Sequence, residues 1–316
     1  MSHKAKLITL TVLAVVSLSL FMFQGVEGNW SYVLESRGKK VLAISLTGAA
    51  IAFSTVVFQT LTNNRILTPS IIGLDSLYML IQTGIIFFYG SGSLTIANKQ
   101  VNFLLSAALM MIFAVLLYKF LFRGEGRNIY FLLLVGLVCG TFFESISSFM
   151  QMLIDPNEFM VVQDQMFASF NNVQTELLLL ASGGMILMFL SFLPLAKYLD
   201  VLALGKEHAV NLGVNYSYVV KRLLLIVVVL VSISTALVGP ITFLGLLVAN
   251  VAYQFMRTYR HKLLITASIL ISIIALAGGQ MLVERVFSFS TTLSVIVNFT
   301  GGVYFIYLLL KENKAW

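Results

Sequence analysis

Charge is what this sequence has least of: Asp, Glu, Lys and Arg make up 10% of 316 residues, against 59% hydrophobic residues. A water-soluble globule of this size needs a far more polar surface, so that class is excluded. Cysteine is nearly missing. The single Cys139 rules out an internal disulfide, and its place inside an apolar run suits a small core residue. Histidine is scarce too, and His3, His208 and His261 are spread too widely in sequence to suggest a site. No His/Cys/carboxylate cluster has metal-ligand spacing, and no G-x-x-x-x-G-K-[ST] phosphate loop occurs. A G-x-S-x-G elbow and an H-E-x-x-H helix are missing as well. The chain therefore carries no visible chemistry of its own. Any uphill work it does must be powered by an ion gradient or by a partner.

Long apolar runs are what it has. Mean hydropathy is +0.95, and ten segments of near-spanning length stand out: residues 7–23, 41–61, 71–89, 101–122, 129–153, 175–195, 219–238, 241–255, 263–283 and 293–310. They define an all-α, polytopic transmembrane bundle in a single domain over residues 1–316, since runs of about 20 apolar residues span a bilayer as helices. The weak ten-residue alternation of a membrane β-barrel does not occur. The first segment resembles a signal peptide but reads as a retained helix, because residues 24–30 offer no small-residue cleavage pattern. The eighth is short and opens at Gly239-Pro240, which predicts Pro in the first turn of a helix that does not cross the bilayer unaided.

The formal net charge of +7 lies in loops facing anionic lipid, with no basic face suited to nucleic acid. With both termini in the cytoplasm, only Arg37, Lys39, Lys40, Lys99 and Arg285 of the 20 Lys and Arg residues fall outside. Arg123, Arg127, Lys206, Arg257 and Arg260 are among those inside. This orientation makes residues 199–218 a cytoplasmic loop. Its sequence continues to residue 220 as LDVLALGKEHAVNLGVNYSYVV, the most polar interior stretch. Gly205 and Gly213 bracket a short helix over 206–212, with Ala209 and Leu212 on one face and Lys206, Glu207 and Asn211 wet. A helix this short needs something to pack against. It reads either as a docking knob for a soluble partner or as a helix resting on the membrane surface.

Within the spans, the carboxylates are Asp75, Glu144 and Glu176. An intramembrane carboxylate is a functional candidate by default. Glu144 could couple protons, or it could face a watery central cavity or an interhelical hydrogen bond; the second group of readings is favoured. Gly48, Ala49, Ala52, Gly183, Gly184, Gly278 and Gly279 would let helices approach closely.

Four blocks resemble the permease subunits of ABC importers for iron–siderophores, haem and cobalamin. Residues 37–73, RGKKVLAISLTGAAIAFSTVVFQTLTNNRILTPSIIG, are similar to R-x-x-R, G-A-x-x-A, a Gln and N-P-L-A-x-P-x-x-x-G. Leu202, Leu204, Gly205, Ala209, Leu212, Gly213 and Val214 match L-x-L-G-x-x-x-A-x-x-L-G-V. Residues 239–247, GPITFLGLL, resemble G-P-I-x-F-x-G-L, and residues 301–309, GGVYFIYLL, resemble G-x-P-x-F-x-x-L-L. The departures are Lys40 for the second Arg, Arg65 for the Asn-Pro proline, Val303 for a proline and Ala249-Asn250 for Pro-His. In addition, QMFASFNN over residues 165–172 stands in place of W-x-x-G-S-L. They look like the subgroup serving catecholate-type siderophores such as petrobactin or anguibactin.

The resemblance implies a type II ABC importer permease in the bacterial cytoplasmic membrane. It is not itself an enzyme and holds no cofactor or metal. Two partner ATPase subunits would bind ATP and dock on Leu204, Gly205, Lys206, Glu207, His208, Ala209, Leu212 and Gly213. Arg37, Lys40 and Arg285 would grip an extracytoplasmic substrate-binding protein, with lipid snorkelling the alternative for the first two. A second permease, commonly a different one, would complete the path. Ser54, Thr55, Gln59, Asn63, Asn64 and Glu144 are the polar candidates for passing a bulky Fe(III)–siderophore cargo. Haem and cobalamin are alternative cargoes. An ion-coupled carrier using Glu144 is the rival from another class, and an intramembrane enzyme is disfavoured because the spans lack paired catalytic groups.

Overall fold

The computed structural model describes residues 2–25, 30–92, 98–121, 129–171 and 173–312. Arg123, Arg127 and Asn172 lie outside the described residues. The elements are α1 (His3–Phe23), α2 (Trp30–Thr62), a 3₁₀ turn (Pro69–Ile72), α3 (Leu74–Tyr89), α4 (Lys99–Leu121), α5 (Ile129–Leu153) and α6 (Pro156–Met166). After these come α7 (Thr175–Phe192), a second 3₁₀ turn (Leu193–Tyr198), α8 (Leu199–Leu202), α9 (Lys206–Asn211), α10 (Tyr216–Val238), α11 (Leu244–Met256), α12 (His261–Arg285) and α13 (Leu293–Glu312). No strand occurs among the described residues. Among the described residues, seven helices are long and apolar enough to cross a membrane, and Leu74–Tyr89, Leu244–Met256 and Leu293–Tyr307 are shorter apolar helices. Each of the ten apolar segments is therefore a helix.

The bundle is built around α2 and α12, which run antiparallel and are tied at both ends. Lys40 Nζ meets Glu284 Oε1 at 2.7 Å at one end, and Thr60 Oγ1 lies 2.8 Å from His261 Nε2 at the other. Twenty residues separate Lys40 from Thr60, about 30 Å of helix and close to the thickness of a bilayer's hydrocarbon core. Around this pair, α10 packs on α2, α4 and α7; α11 packs on α12 and α2; α1 lies on α12; and α3 pairs with α5.

Three threonines of α2 bond back to their own helix, which keeps their hydroxyls from being stranded in an apolar interior. Thr55, Thr60 and Thr62 donate to the carbonyls of Ile51, Val56 and Phe58 at 2.8, 2.8 and 2.9 Å. The helix α2 begins well before residue 41, where the apolar run starts. Its polar first turns include a Glu35–Lys39 pair at 2.7 Å, one helical turn apart.

Two interruptions depart from the expected spans. The third apolar segment starts as a 3₁₀ turn and becomes helical only after Gly73, whose φ is +86°. A Cβ at Gly73 would sit 2.9 Å from Gly140 Cα, so the residue supplies both the left-handed turn and the close approach. Gly136 and Gly140 on α5 form the matching flat surface; a Cβ at Gly136 would lie 2.8 Å from Ile72 Cα. The eighth segment is helical only from Leu244, so Pro240 is not in its first turn as expected. Phe243 N donates instead to Asn298 Oδ1 at 3.4 Å, and just before the break Ser169 N donates to Val238 O, the last residue of α10, at 2.8 Å. Of the glycines expected to sit at helix contacts, Gly48, Gly184 and Gly279 do so, against Ser272, Ile233 and Leu293; Gly183 and Gly278 face open space.

Candidate coupling surface and polar path

One end of the bundle carries the loop made by α8 and α9. A helix of six residues is held by what lies beneath it. Ala209 is fully buried, with Leu199, Leu202 and Val214 also buried. Gly213, at φ +80°, closes α9: its N–H donates to Val210 O at 2.9 Å, and Val214 N to Ala209 O at 3.0 Å. Lys206, Glu207, His208 and Asn211 are exposed, and Gly205 precedes them as the N-cap. The expected shared face of Ala209 and Leu212 does not form. The helix stops at Asn211, so Leu212 leaves the helical register and stands 65% exposed. Leu204 and Val210 join it at 58% and 51%. Ala209 anchors the loop, and the outward apolar surface is Leu204, Val210 and Leu212.

Beneath this loop lies a contact that sequence separation concealed. Asp200 Oδ1 accepts from the His261 backbone N–H at 2.9 Å and lies 2.6 Å from its ring Nδ1. The ring's Nε2 meets Thr60, so one buried imidazole ties the loop to α2 and α12. Replacing His261 with Ala is expected to cost roughly 1 kcal/mol, because both ring contacts are lost while Thr60 keeps its bond to Val56 O and Asp200 its bond from the residue-261 backbone N–H. Hydrogen exchange should then rise across residues 199–213; unchanged protection there would show that the link holds nothing.

Arg37, Lys40 and Arg285 come together at the opposite end, each with an internal acceptor. Arg37 Nη1 donates to Phe21 O, Met22 O and Gln24 O at 3.2, 3.0 and 2.9 Å, closing the end of α1. Arg285 donates to the same Gln24 carbonyl. Lys40 and Glu284 leave only 15% of each side chain exposed, and Gln280 Nε2 also donates to Glu284 at 2.9 Å. Lys40→Glu should lower stability by roughly 1–3 kcal/mol through two facing carboxylates, and adding Glu284→Lys should restore it. Restored stability without restored binding to the extracytoplasmic receptor would assign Lys40 a docking role; full recovery of both would deny it.

The polar candidates on α2 are mostly interior brackets. Gln59 Nε2 donates to Arg65 O at 2.6 Å, and Asn250 Nδ2 donates to the same carbonyl at 3.0 Å. The Arg65 guanidinium stacks 4.6 Å above the Tyr253 ring. Asn64 Oδ1 accepts from Ile66 N at 2.9 Å, and Asn63 is exposed with φ +48°. Together these groups fix the turn that follows α2. Ser54 is fully buried, and its hydroxyl has no partner. Glu144 is elsewhere, exposed on α5 in line with exposed Thr141, Ser145 and Ser148. A polar stripe on a spanning helix must meet water or protein within the membrane.

These features define a polytopic helical membrane protein with a polar loop at one end that presents a small apolar patch. The FecCD transport family model matches residues 6–311, and the chain belongs to that family. It is 63% identical to the petrobactin import system permease protein YclO of Bacillus subtilis, covering 100% of both chains. It is 35% identical to the petrobactin import system permease protein FatC of Bacillus anthracis, over 89% of this chain and 79% of that one. A solved structure described as an inward-facing conformation of a metal-chelate type ABC transporter matches its fold with a TM-score of 0.85. That match covers 98% of this chain and 100% of the other at 21% identity.

Proposed function

We propose that this chain is the membrane-spanning permease of an ATP-driven importer that carries an Fe(III)–petrobactin-type catecholate siderophore into the cytoplasm. The observation that carries the reading is the 63% identity to a petrobactin permease along the full length of both chains. A second petrobactin permease at 35% identity supports it. The expected assembly holds a second permease, commonly a different chain, and two ATPase subunits, each permease loop engaging one. An extracytoplasmic binding protein delivers the cargo at the opposite end. The orientation, with both termini and residues 199–218 in the cytoplasm, rests on the distribution of Lys and Arg. Placement of the two candidate docking regions at opposite ends of the bundle supports it.

ATP enters such a system through its partners. This chain's contribution is to present Leu204, Val210 and Leu212 on a loop whose base is tied by Asp200 and His261 to two spanning helices. Movement of an ATPase under the loop would then be transmitted to the bundle. No strong cargo site is expected along the path, since a permease that bound its cargo tightly would trap it. Under iron limitation, a strain lacking this gene should fail to grow with Fe(III)–petrobactin as sole iron source and recover when the gene is returned. Normal growth of the deletion strain on petrobactin, with failure on haem or cobalamin supply, would reassign the cargo.

A further inference from the structure

The four-residue turn between α11 and α12, Arg257 to Arg260, is ringed by contacts with other parts of the chain. Tyr253, in the last turn of α11, lies 4.6 Å under the Arg65 guanidinium at the end of α2. Gln254 Nε2 donates to Tyr304 Oη on α13 at 2.8 Å. Phe255 O accepts from Lys6 Nζ on α1 at 2.5 Å. His261, the first residue of α12, is held by Asp200 at the base of the 199–213 loop. With α2, α13, α1 and the loop around it, the turn opens along the bundle axis rather than sideways toward lipid. Arg257, Tyr259 and Arg260 are exposed there, Tyr259 at 76%. Two features set these cations apart from the Lys and Arg that membrane orientation alone places on this side. Arg257 has φ +49° and ψ +52°, a left-handed conformation that is costly for residues other than Gly or Asn. Neither arginine has a carboxylate of its own, since no ion pair among the described residues involves Arg257 or Arg260. Asp200, on which the Arg260 charge acts, has its Oδ1 occupied by His261.

We infer that this turn is a second contact for the ATPase subunit, a cationic rim beside the apolar patch of Leu204, Val210 and Leu212 that receives acidic side chains of that subunit. The inference rests on the importer reading given above. Protein interfaces pair an apolar centre with a polar rim, and Arg and Tyr are enriched where they carry binding energy. Charges at a rim steer the encounter and fix its register more than they add affinity. The bonds between His261 and Asp200 make the turn and the loop one continuous surface. An ATPase that grips both takes hold of α12 directly at its first turn, as well as through the loop.

Association of the purified ATPase subunit with the permease in nanodiscs of neutral lipid tests this, since neutral lipid removes any part played by anionic headgroups. Arg257→Asn and Arg260→Gln are combined, the first because Asn accepts the left-handed turn. The double variant should keep the parent's thermal midpoint, associate about tenfold more slowly at low salt, and depend less steeply on salt concentration. Association identical to the parent's at every salt concentration would overturn the inference and leave the importer reading standing. A parent protein that binds no ATPase at all would bring down that reading itself. A difference that appears only when anionic lipid is added would assign the turn to lipid and overturn the inference too. Tyr259→Cys in a Cys139→Ser background, carrying a photoreactive label, should crosslink to the ATPase, and it serves alone if the double variant fails to fold. Crosslinks to lipid or to the permease alone would reject the contact.

Discussion

Aspartate at both Val210 and Leu212 is expected to abolish ATP-driven uptake while leaving the helical bundle folded. The two side chains are 51% and 65% exposed, so charging them removes no interior packing. Against an apolar cleft on an ATPase, each new carboxylate would have to shed its water without a partner, at a cost of about 1–3 kcal/mol or more. Two such costs correspond to roughly a thirtyfold or greater loss of affinity. Co-purification with the ATPase subunit should fail while the permease keeps its wild-type thermal midpoint. If the doubly substituted protein still binds the ATPase, the apolar patch is not the contact. Ala209 is a poorer probe for this purpose, because its fully buried position makes any larger side chain disturb the loop itself.

The second large effect is expected at Gly245. A Cβ there would collide with Thr55 Oγ1 and lie 3.1 Å from Thr55 Cβ. Thr55 is buried and its hydroxyl is bonded to Ile51 O at 2.8 Å, so it has little freedom to turn aside. Gly245→Ala must therefore push α11 away from α2, an overpacking cost of about 1–3 kcal/mol. The midpoint of unfolding and the yield of folded protein should both fall. Thr55→Ala in the same chain removes the obstructing atoms and should recover most of the loss. A Gly245→Ala protein as stable as the parent would show that the two helices separate more easily than this contact implies.

The apolar segments were readable because a spanning helix has to be apolar along most of its length, whatever it packs against. Their ends were less so. The first turns of α2 are polar and helical because of the Glu35–Lys39 pair and the internal bonds of Arg37, which no hydropathy window registers. Helix α6, Pro156–Met166, is mixed in composition and capped by Asp155 through Asn157 N at 2.9 Å, so it did not stand out among spanning segments. The breaks at 69–73 and 239–243 depend on contacts with α5, α13 and the 168–169 segment, distant in the chain.

The 199–213 loop is visible in the sequence as a polar island holding two glycines, but the direction of Leu212 depends on where a six-residue helix stops. His261 was set aside for lack of neighbours in sequence. Its partners Asp200 and Thr60 are 61 and 201 residues away, a separation that only the fold closes. Gly136 and Gly140 show the same limit: their spacing permits close packing, yet their partner is a 3₁₀ turn rather than another helix. The Asp75 carboxylate was noticed as a membrane acid, while the hydroxyls around it come from four separate parts of the chain.

Because α2 and α12 are fastened to each other near both faces of the membrane, neither can slide along its neighbour without breaking a tie. They behave as a strut. A push delivered at the Asp200 end is therefore expected to tilt the two helices together as one unit, and not to slide one past the other.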